Sequence, residues 1–336
     1  MEAMAMGVRL TELTSCGGCA AKWGAALLGD LVEAARTAGD GALLVGLAPS
    51  DDAAVVQVAN GVALVSTTDF FPPLVDDPAD FGAIAAANAC SDVFAMGGDV
   101  ILALNVAAFP ETLPTDVIQA IFRAAAEVVA AAGGVVAGGH TIRSPEPIFG
   151  LAVQGVVVPG RQFTKGGARP GDMLVLSKPL GTGLALASGD PDTIGAAIAI
   201  MRQLNRSAAA RLRDHHDSVH AVTDVTGFGL LGHGWEMADR SDAHLVFDWP
   251  SLPLIDGVRA VAEAGVRTGG DARNREYVQD HVVLDAGDTA AAVGFDPQTS
   301  GGLLAAVDTA LADQLSADGF VTVGQVIAGP ATVTLR

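Results

Sequence analysis

Val222-Thr-Asp224-Val-Thr-Gly227-Phe-Gly229-Leu-Leu-Gly232 sets a Gly-x-Gly-x-x-Gly spacing directly behind a strand-like run. Leu245-Val-Phe-Asp248 then ends a second such run in an acid, about twenty residues on, as the dinucleotide fingerprint requires. Whether this is a nucleotide-binding turn decides the fold. Rossmann units open their domain and continue into further strand–helix repeats. This one sits deep in the second half of the chain, with no clear train of such repeats after it. Its glycines therefore read better as turn and close-packing positions ahead of a helix over 230–237. A nicotinamide oxidoreductase stays open as a rival.

Outward from that run, strands and helices alternate. Strands are expected at 42–47, 55–58, 62–65, 101–109 and 148–158, β-branched runs bounded by Gly or Pro. One helix is expected from Pro78, a first-turn proline after Asp77, to the stop at Gly97-Gly98, and another over 115–132 before Gly133-Gly134. The Gly-, Pro- and basic-rich loop Pro159-Gly-Arg-Gln-Phe-Thr-Lys-Gly-Gly-Ala-Arg-Pro-Gly171 separates this half from a second, with strands expected at 173–177, 303–307 and 321–327. The expected organisation is a flexible glycine-rich segment 1–22, an N-terminal domain 23–158 and a C-terminal domain 159–336, of α/β (α+β) class.

Composition narrows the chemistry. Acidic residues outnumber basic ones 38 to 19, a formal charge of −19, which argues against a phosphate-backbone partner that needs a basic footprint. It leaves nucleotides open, because carboxylates hold them through magnesium. No apolar run approaches the ~18 residues that span a bilayer. The first residues lack a signal-peptide pattern, and three cysteines make no disulfide framework, so a reducing cytoplasm is the expected compartment.

Two of those cysteines lie with a lysine in Thr14-Ser-Cys-Gly-Gly-Cys-Ala-Ala-Lys22. An ammonium three residues from a thiol favours the reactive thiolate. The same residues fit an idle flexible terminus equally well. Zinc is disfavoured, since Cys90 is the only cysteine left.

Four aspartate motifs stand out. Asp51-Asp52 is either a solvated turn or a site whose repulsion is relieved by a cation or donors. Asp69 follows Ser66-Thr67-Thr68 at a strand's end. Asn88 and Asp92 share a helix face, with Cys90 turned toward the core. Asp224 closes the strand of the opening motif. Ala137-Gly138-Gly139-His140-Thr141 and Asp296-Pro-Gln-Thr-Ser-Gly-Gly302 read as glycine-rich turns with N–H groups free for phosphate. There is no Walker A sequence, so a triphosphate would be held by aspartates, magnesium and lysine.

Taken in order, Cys19-Ala-Ala-Lys22, Asp51-Asp52-Ala-Ala-Val, Ser66-Thr-Thr-Asp-Phe-Phe, Asn88-Ala-Cys-Ser-Asp-Val-Phe-Ala-Met-Gly-Gly98, Ala137-Gly-Gly-His140, Pro145-Glu-Pro-Ile-Phe-Gly-Leu151, Thr223-Asp-Val-Thr-Gly-Phe-Gly-Leu-Leu-Gly-His233 and Asp296-Pro-Gln-Thr-Ser-Gly-Gly302 resemble selenophosphate synthetase, or selenide, water dikinase. This family belongs to the aminoimidazole ribonucleotide synthetase-like superfamily, and the likeness spans nearly the whole chain. The resemblance implies a reactive Cys19 and an essential Lys22, with magnesium on Asp52, Asp92 and Asp224. It implies nucleotide contacts at Lys22, Asp51, Asp69 and Asp92, and at Gly139, His140 and Thr141 from the partner of a homodimer. It implies ATP, selenide and water as substrates, with selenophosphate, orthophosphate and AMP as products. A potassium ion and a selenium-donor protein are further implied partners. Sheet-edge pairing of N-terminal domains is implied too, and the glycines of the 149–157 strand would tolerate the close approach.

Two departures matter. Many members have a cysteine immediately before the lysine, where this chain has Ala21, and Cys16 is extra, raising a reversible Cys16–Cys19 pairing. Members often carry arginine before the Asp-Asp pair, where Ser50 stands here, which shifts charge duty to Lys22. The alternatives are a related magnesium-ATP-dependent kinase or synthetase and a non-catalytic chalcogen carrier.

Overall fold

A computed structural model of the chain describes residues 8–15, 17–18, 31–32, 34–35, 42–48 and 50–336. Strands β1 (Leu43–Val45), β2 (Ala54–Ala59), β3 (Val62–Phe71), β4 (Asp99–Phe109), β5 (Val135–Arg143) and β6 (Ile148–Val157) form one sheet in the order β1-β2-β3-β6-β4-β5. Only β4 and β5 run parallel, joined by the helical crossover that parallel pairing demands. Helices α1 (Pro78–Ala95) and α2 (Thr115–Ala132) pack on each other and on this sheet.

Helix α1 starts where the sequence says it should. Asp77 accepts hydrogen bonds from the N–H groups of Ala79 and Asp80 at 2.8 and 2.9 Å, and Pro78 fills the first turn. The helix carries no apolar stripe because it has no solvent side. It contacts β3, β4 and β6 on one flank and β8 and the helices Pro191–Met201 and Arg206–Asp214 on the other. Its alanines allow that close packing from both directions, and a helix apolar all round is a buried one.

The second sheet comprises β7 (Met173–Leu176), β8 (Val219–Asp224), β9 (His244–Phe247), β10 (Val282–Leu284), β11 (Leu303–Val307), β12 (Val321–Ile327) and β13 (Thr332–Leu335), in the order β10-β13-β9-β12-β7-β11-β8. This arrangement removes the dinucleotide reading of 222–232. β8 is an edge strand whose neighbour β11 is antiparallel, and three strands separate it from β9. The glycines do close packing instead: Gly229 has φ +71°, and an added Cβ would lie 2.8 Å from the Gly294 carbonyl oxygen. One apolar core runs through both halves.

Two expectations need correction. Residues 137–141 are not a turn but the middle of β5, paired with β4 from Leu104↔Gly138 to Ala107↔Thr141. The paired glycines mislead because they answer a tertiary need: a Cβ on Gly139, at φ +148°, would sit 2.3 Å from the Asn105 carbonyl oxygen. The 149–157 strand is not a sheet edge, since β6 is hydrogen-bonded to β3 and β4 on its two sides. The edges are β1 and β5. Strands β10 and β13 gave no separate signal, being three and four residues long.

Candidate functional site

Register gathers the carboxylates. Ala54 lies opposite Ser66, so Asp52, two residues earlier, runs alongside the Thr67–Asp69 end of β3. From α1, Asn88 donates to Asp69 Oδ2, while Thr67 Oγ1 donates to Asp92 Oδ2 at 2.5 Å. From β8, Thr223 Oγ1 donates to Asp52 Oδ1 at 3.0 Å, and the charge of Asp224, the next residue, acts on Asp52. Asp51, Asp52, Asp69, Asp92 and Asp224 thus converge where β2, β3, α1 and β8 meet.

Asp51-Asp52 is no solvated turn. The Asp52 side chain is 4% exposed, and Lys165 Nζ lies 3.0 Å from its Oδ1. The Lys165 N–H donates to Asp51 Oδ2 at 3.1 Å. Lys165 Nζ also pairs with Glu236 Oε2 at 2.9 Å, and His233 Nδ1 meets that carboxylate at 3.2 Å. Burial pushes the Asp52 carboxyl well above its usual range, against Lys165 and with the charges of Asp224 and Asp51 adding to the rise. Burial alone would raise Glu236 too, but Lys165 and His233 hold it far below the ordinary range.

Two oxygens in this cluster, Asp52 Oδ2 and Asp224 Oδ2, are buried with no partner among the described residues. A buried carboxylate oxygen left bare is costly. Two such oxygens, on carboxylates whose charges act on each other, are hard donors of the kind a magnesium ion takes, binding through one or two carboxylates and substrate phosphates.

A second network ties the halves together behind the carboxylates. The Ser300 N–H donates to Asn88 Oδ1 at 2.7 Å, and Ser300, at φ +51°, offers its carbonyl to Lys178 Nζ at 2.9 Å. Lys178 Nζ also donates to the Gln203 carbonyl at 2.6 Å, and burial pushes its pKa down to about 7. Asn205 donates to Ser91 Oγ and to the Gly301 carbonyl, both at 2.8 Å. The Asp296–Gly302 loop therefore buttresses α1.

Other expected residues fall as follows. Cys19 and Lys22 lie outside the described residues, as does Cys16. Gly18, the residue before Cys19, donates its N–H to the Pro72 carbonyl at 2.9 Å, just beyond the end of β3. Ser15 N–H binds Glu146 Oε1 at 2.9 Å. A cavity of about 380 Å³ opens beside this strand of chain, lined among others by Thr14, Gly17, Leu74, Gly183 and Thr299. Gly139, His140 and Thr141 do not join the carboxylates within one chain. Asp69, Leu151, Asn105 and Gly139 occupy one row across the sheet, so three strand spacings, about 14 Å, separate its ends.

Sequence reasoning missed Lys165, Glu236, His233 and Lys178. Lys165 sat in what read as a connecting loop, and nothing local marks a loop lysine as buried. Ser50 is also not without a cation nearby: Arg240 Nη2 donates to its Oγ at 3.3 Å, from the helix Gly229–Ser241. Cys90 is in the core as expected, its thiol pushed up to about 12 by burial.

Family models agree with this layout. Residues 50–157 match the N-terminal domain of AIR synthase related proteins, and residues 169–334 match their C-terminal domain. Solved structures share the fold. A thiamine-monophosphate kinase from Stenotrophomonas maltophilia superposes with a TM-score of 0.64 at 22% identity, covering 94% of this chain and 96% of that one. The HypE–HypF complex gives 0.68 at 16% identity over 93% and 96%. Among curated proteins, the selenide, water dikinase of Myxococcus xanthus is 45% identical over 89% of this chain and 87% of its own length. That of Burkholderia ambifaria is 46% identical over 97% and 96%.

Two sheets of this topology with acidic residues at their junction define an AIR synthase-related protein. Within that class, the extent of identity to curated relatives is decisive, and the chain belongs to the selenide, water dikinase family.

Proposed function

We propose that the protein makes selenophosphate from ATP, selenide and water, releasing AMP and orthophosphate. The observation that supports this most directly is the pair of bare buried oxygens, Asp52 Oδ2 and Asp224 Oδ2, in a junction built by both halves. Phosphoryl transfer depends mainly on positioning and on offsetting negative charge that spreads over the transferred group. Asp52, Asp92 and Asp224 would hold magnesium, which supplies charge neutralisation on the phosphates. Asp51 and Asp69 orient the nucleotide, and Lys22 faces the phosphates as a point charge. Cys19 handles the selenium, its approach set by the anchoring of Gly18 on Pro72. Selenide arrives free or from a donor protein.

A homodimer completes the site in this reading. The sheet face away from α1 and α2 leaves Phe70, Ile101, Leu104, Val135 and Ile142 exposed, Val135 to 57%. A patch of that kind marks an interaction surface. A second copy seated there would bring His140 and Thr141 to the nucleotide from the other chain.

Incubation with magnesium and ATP, with and without selenide, tests the reaction. AMP and selenophosphate should form in equal amounts by phosphorus NMR, and only with selenide. ADP as the end product would instead indicate an ordinary kinase, and no turnover would indicate a chalcogen carrier. Cys19→Ser should abolish selenophosphate formation, and a native rate would remove Cys19 from the mechanism.

A further inference from the structure

Lys165 lies outside every motif of the sequence, yet it grips the acidic site at three points. Its Nζ contacts Asp52 Oδ1 at 3.0 Å and Glu236 Oε2 at 2.9 Å, and its backbone N–H holds Asp51 Oδ2 at 3.1 Å. Thr223 Oγ1 occupies the same Asp52 oxygen at 3.0 Å. With Oδ1 held from two sides, the carboxylate cannot rotate, and Oδ2 is the oxygen left to present. The clamp is itself braced. Glu236 Oε2 is met by His233 Nδ1 at 3.2 Å, and His233 Nε2 meets Thr226 Oγ1 at 3.2 Å, so a chain of contacts leads from Asp52 to the Val225–Phe228 turn behind β8. A buried ion pair of this kind is a poor source of net stability, because desolvation offsets the attraction. Its value lies in the geometry it imposes.

We propose that Lys165 is a positioning residue that orders the Asp51-Asp52 pair for a divalent cation, with Glu236 and His233 holding its ammonium in place. The proposal rests on the metal reading of Asp52 and Asp224 and adds a residue to it. A group that orients a ligand from behind changes metal affinity by about 10- to 100-fold when removed.

The test is Mn2+ binding, followed by electron paramagnetic resonance with a non-hydrolysable ATP analogue present, on the full chain. Lys165→Met should weaken Mn2+ binding at least about ten-fold and raise the magnesium concentration for half-maximal AMP release. Lys165→Arg should recover part of the loss. Thermal melting checks that each variant folds. The double variant Lys165→Met, Glu236→Gln removes both charges, so it leaves no lone buried ion and keeps the test open if the single variant unfolds. It should bind Mn2+ as weakly as Lys165→Met. Native Mn2+ affinity in folded Lys165→Met overturns the proposal. So does native affinity in the double variant, since Lys165 would then merely neutralise Glu236. Asp52→Asn separates the two layers: if it leaves Mn2+ binding untouched, the metal reading itself fails and takes the proposal with it.

Discussion

At the scale of single residues, burial sets the chemistry. Asp296 is fully buried, and burial pushes its carboxyl up to about 7 against the donors Leu184 N–H, Gln298 Nε2 and Gly183 N–H. A raised carboxyl means the fold keeps a proton that the unfolded chain gives up. The stabilising contribution is therefore whole below pH ~4 and is lost as pH rises to about 7, at up to about 1.4 kcal/mol per pH unit. Asp296→Asn should remove that part of the slope in urea unfolding between pH 4 and 7. An unchanged slope would mean Asp296 ionises freely in the fold. Cys90 gives a contrasting expectation. With its thiol pushed up to about 12, it should resist alkylation at pH 8 in the native protein and react only after denaturation. Its core position was readable from the sequence, because it faces away from Asn88 and Asp92 on one helix. The burial of Lys165 was not, since local sequence does not show which distant carboxylates a loop side chain will meet.

At the scale of elements, α1 joins the fold to the site. Its ends were legible: Asp77, Pro78 and Gly97 are local signals, and the helix obeys them. Asp77→Ala should cost about 1 kcal/mol in denaturant unfolding, the usual value of a lost N-cap. What α1 does in the middle was not legible. The sequence places Asn88 only on a face shared with Asp92, whereas the fold buries it fully between Asp69 and Ser300. Asn88→Ala should cut both anchors, destabilising the protein by about 1–3 kcal/mol for the unsatisfied partners and raising KM for ATP through Asp69. If KM stays native while stability falls, the link to Asp69 has no catalytic bearing. β5 teaches the same lesson for strands. Two adjacent glycines are a turn signal locally, and only the close approach of Asn105 makes them strand residues.

At the scale of the whole molecule, two sheets share one core and several polar ties. Arg202 pairs with Asp80, and Arg213 with Asp99 and the Gly98 carbonyl, each joining the C-terminal half to the first sheet or its helix. Among the described residues no helix is long and apolar enough to cross a membrane. The uncovered sheet face carries the oligomer prediction. Ile142→Asp should convert a dimer to monomers in light scattering while leaving the thermal midpoint of the monomer fold near native, since Ile142 is 55% exposed. A dimer that survives this change would place the interface elsewhere.

The sequence by itself determined the class of fold, most strand and helix positions, the family and the aspartates, because periodicity, caps and motif spacing are local and are written in order along the chain. Only the tertiary structure decided that 222–232 is a packing turn beside an antiparallel edge strand, that 137–141 is a strand, and that Lys165, Glu236 and Lys178 stand at the site. Each of those depends on groups far apart in sequence meeting in space, within one half for β5 and the 222–232 turn and between the halves where Lys165 meets Asp52, and such contacts leave no periodic trace in either partner.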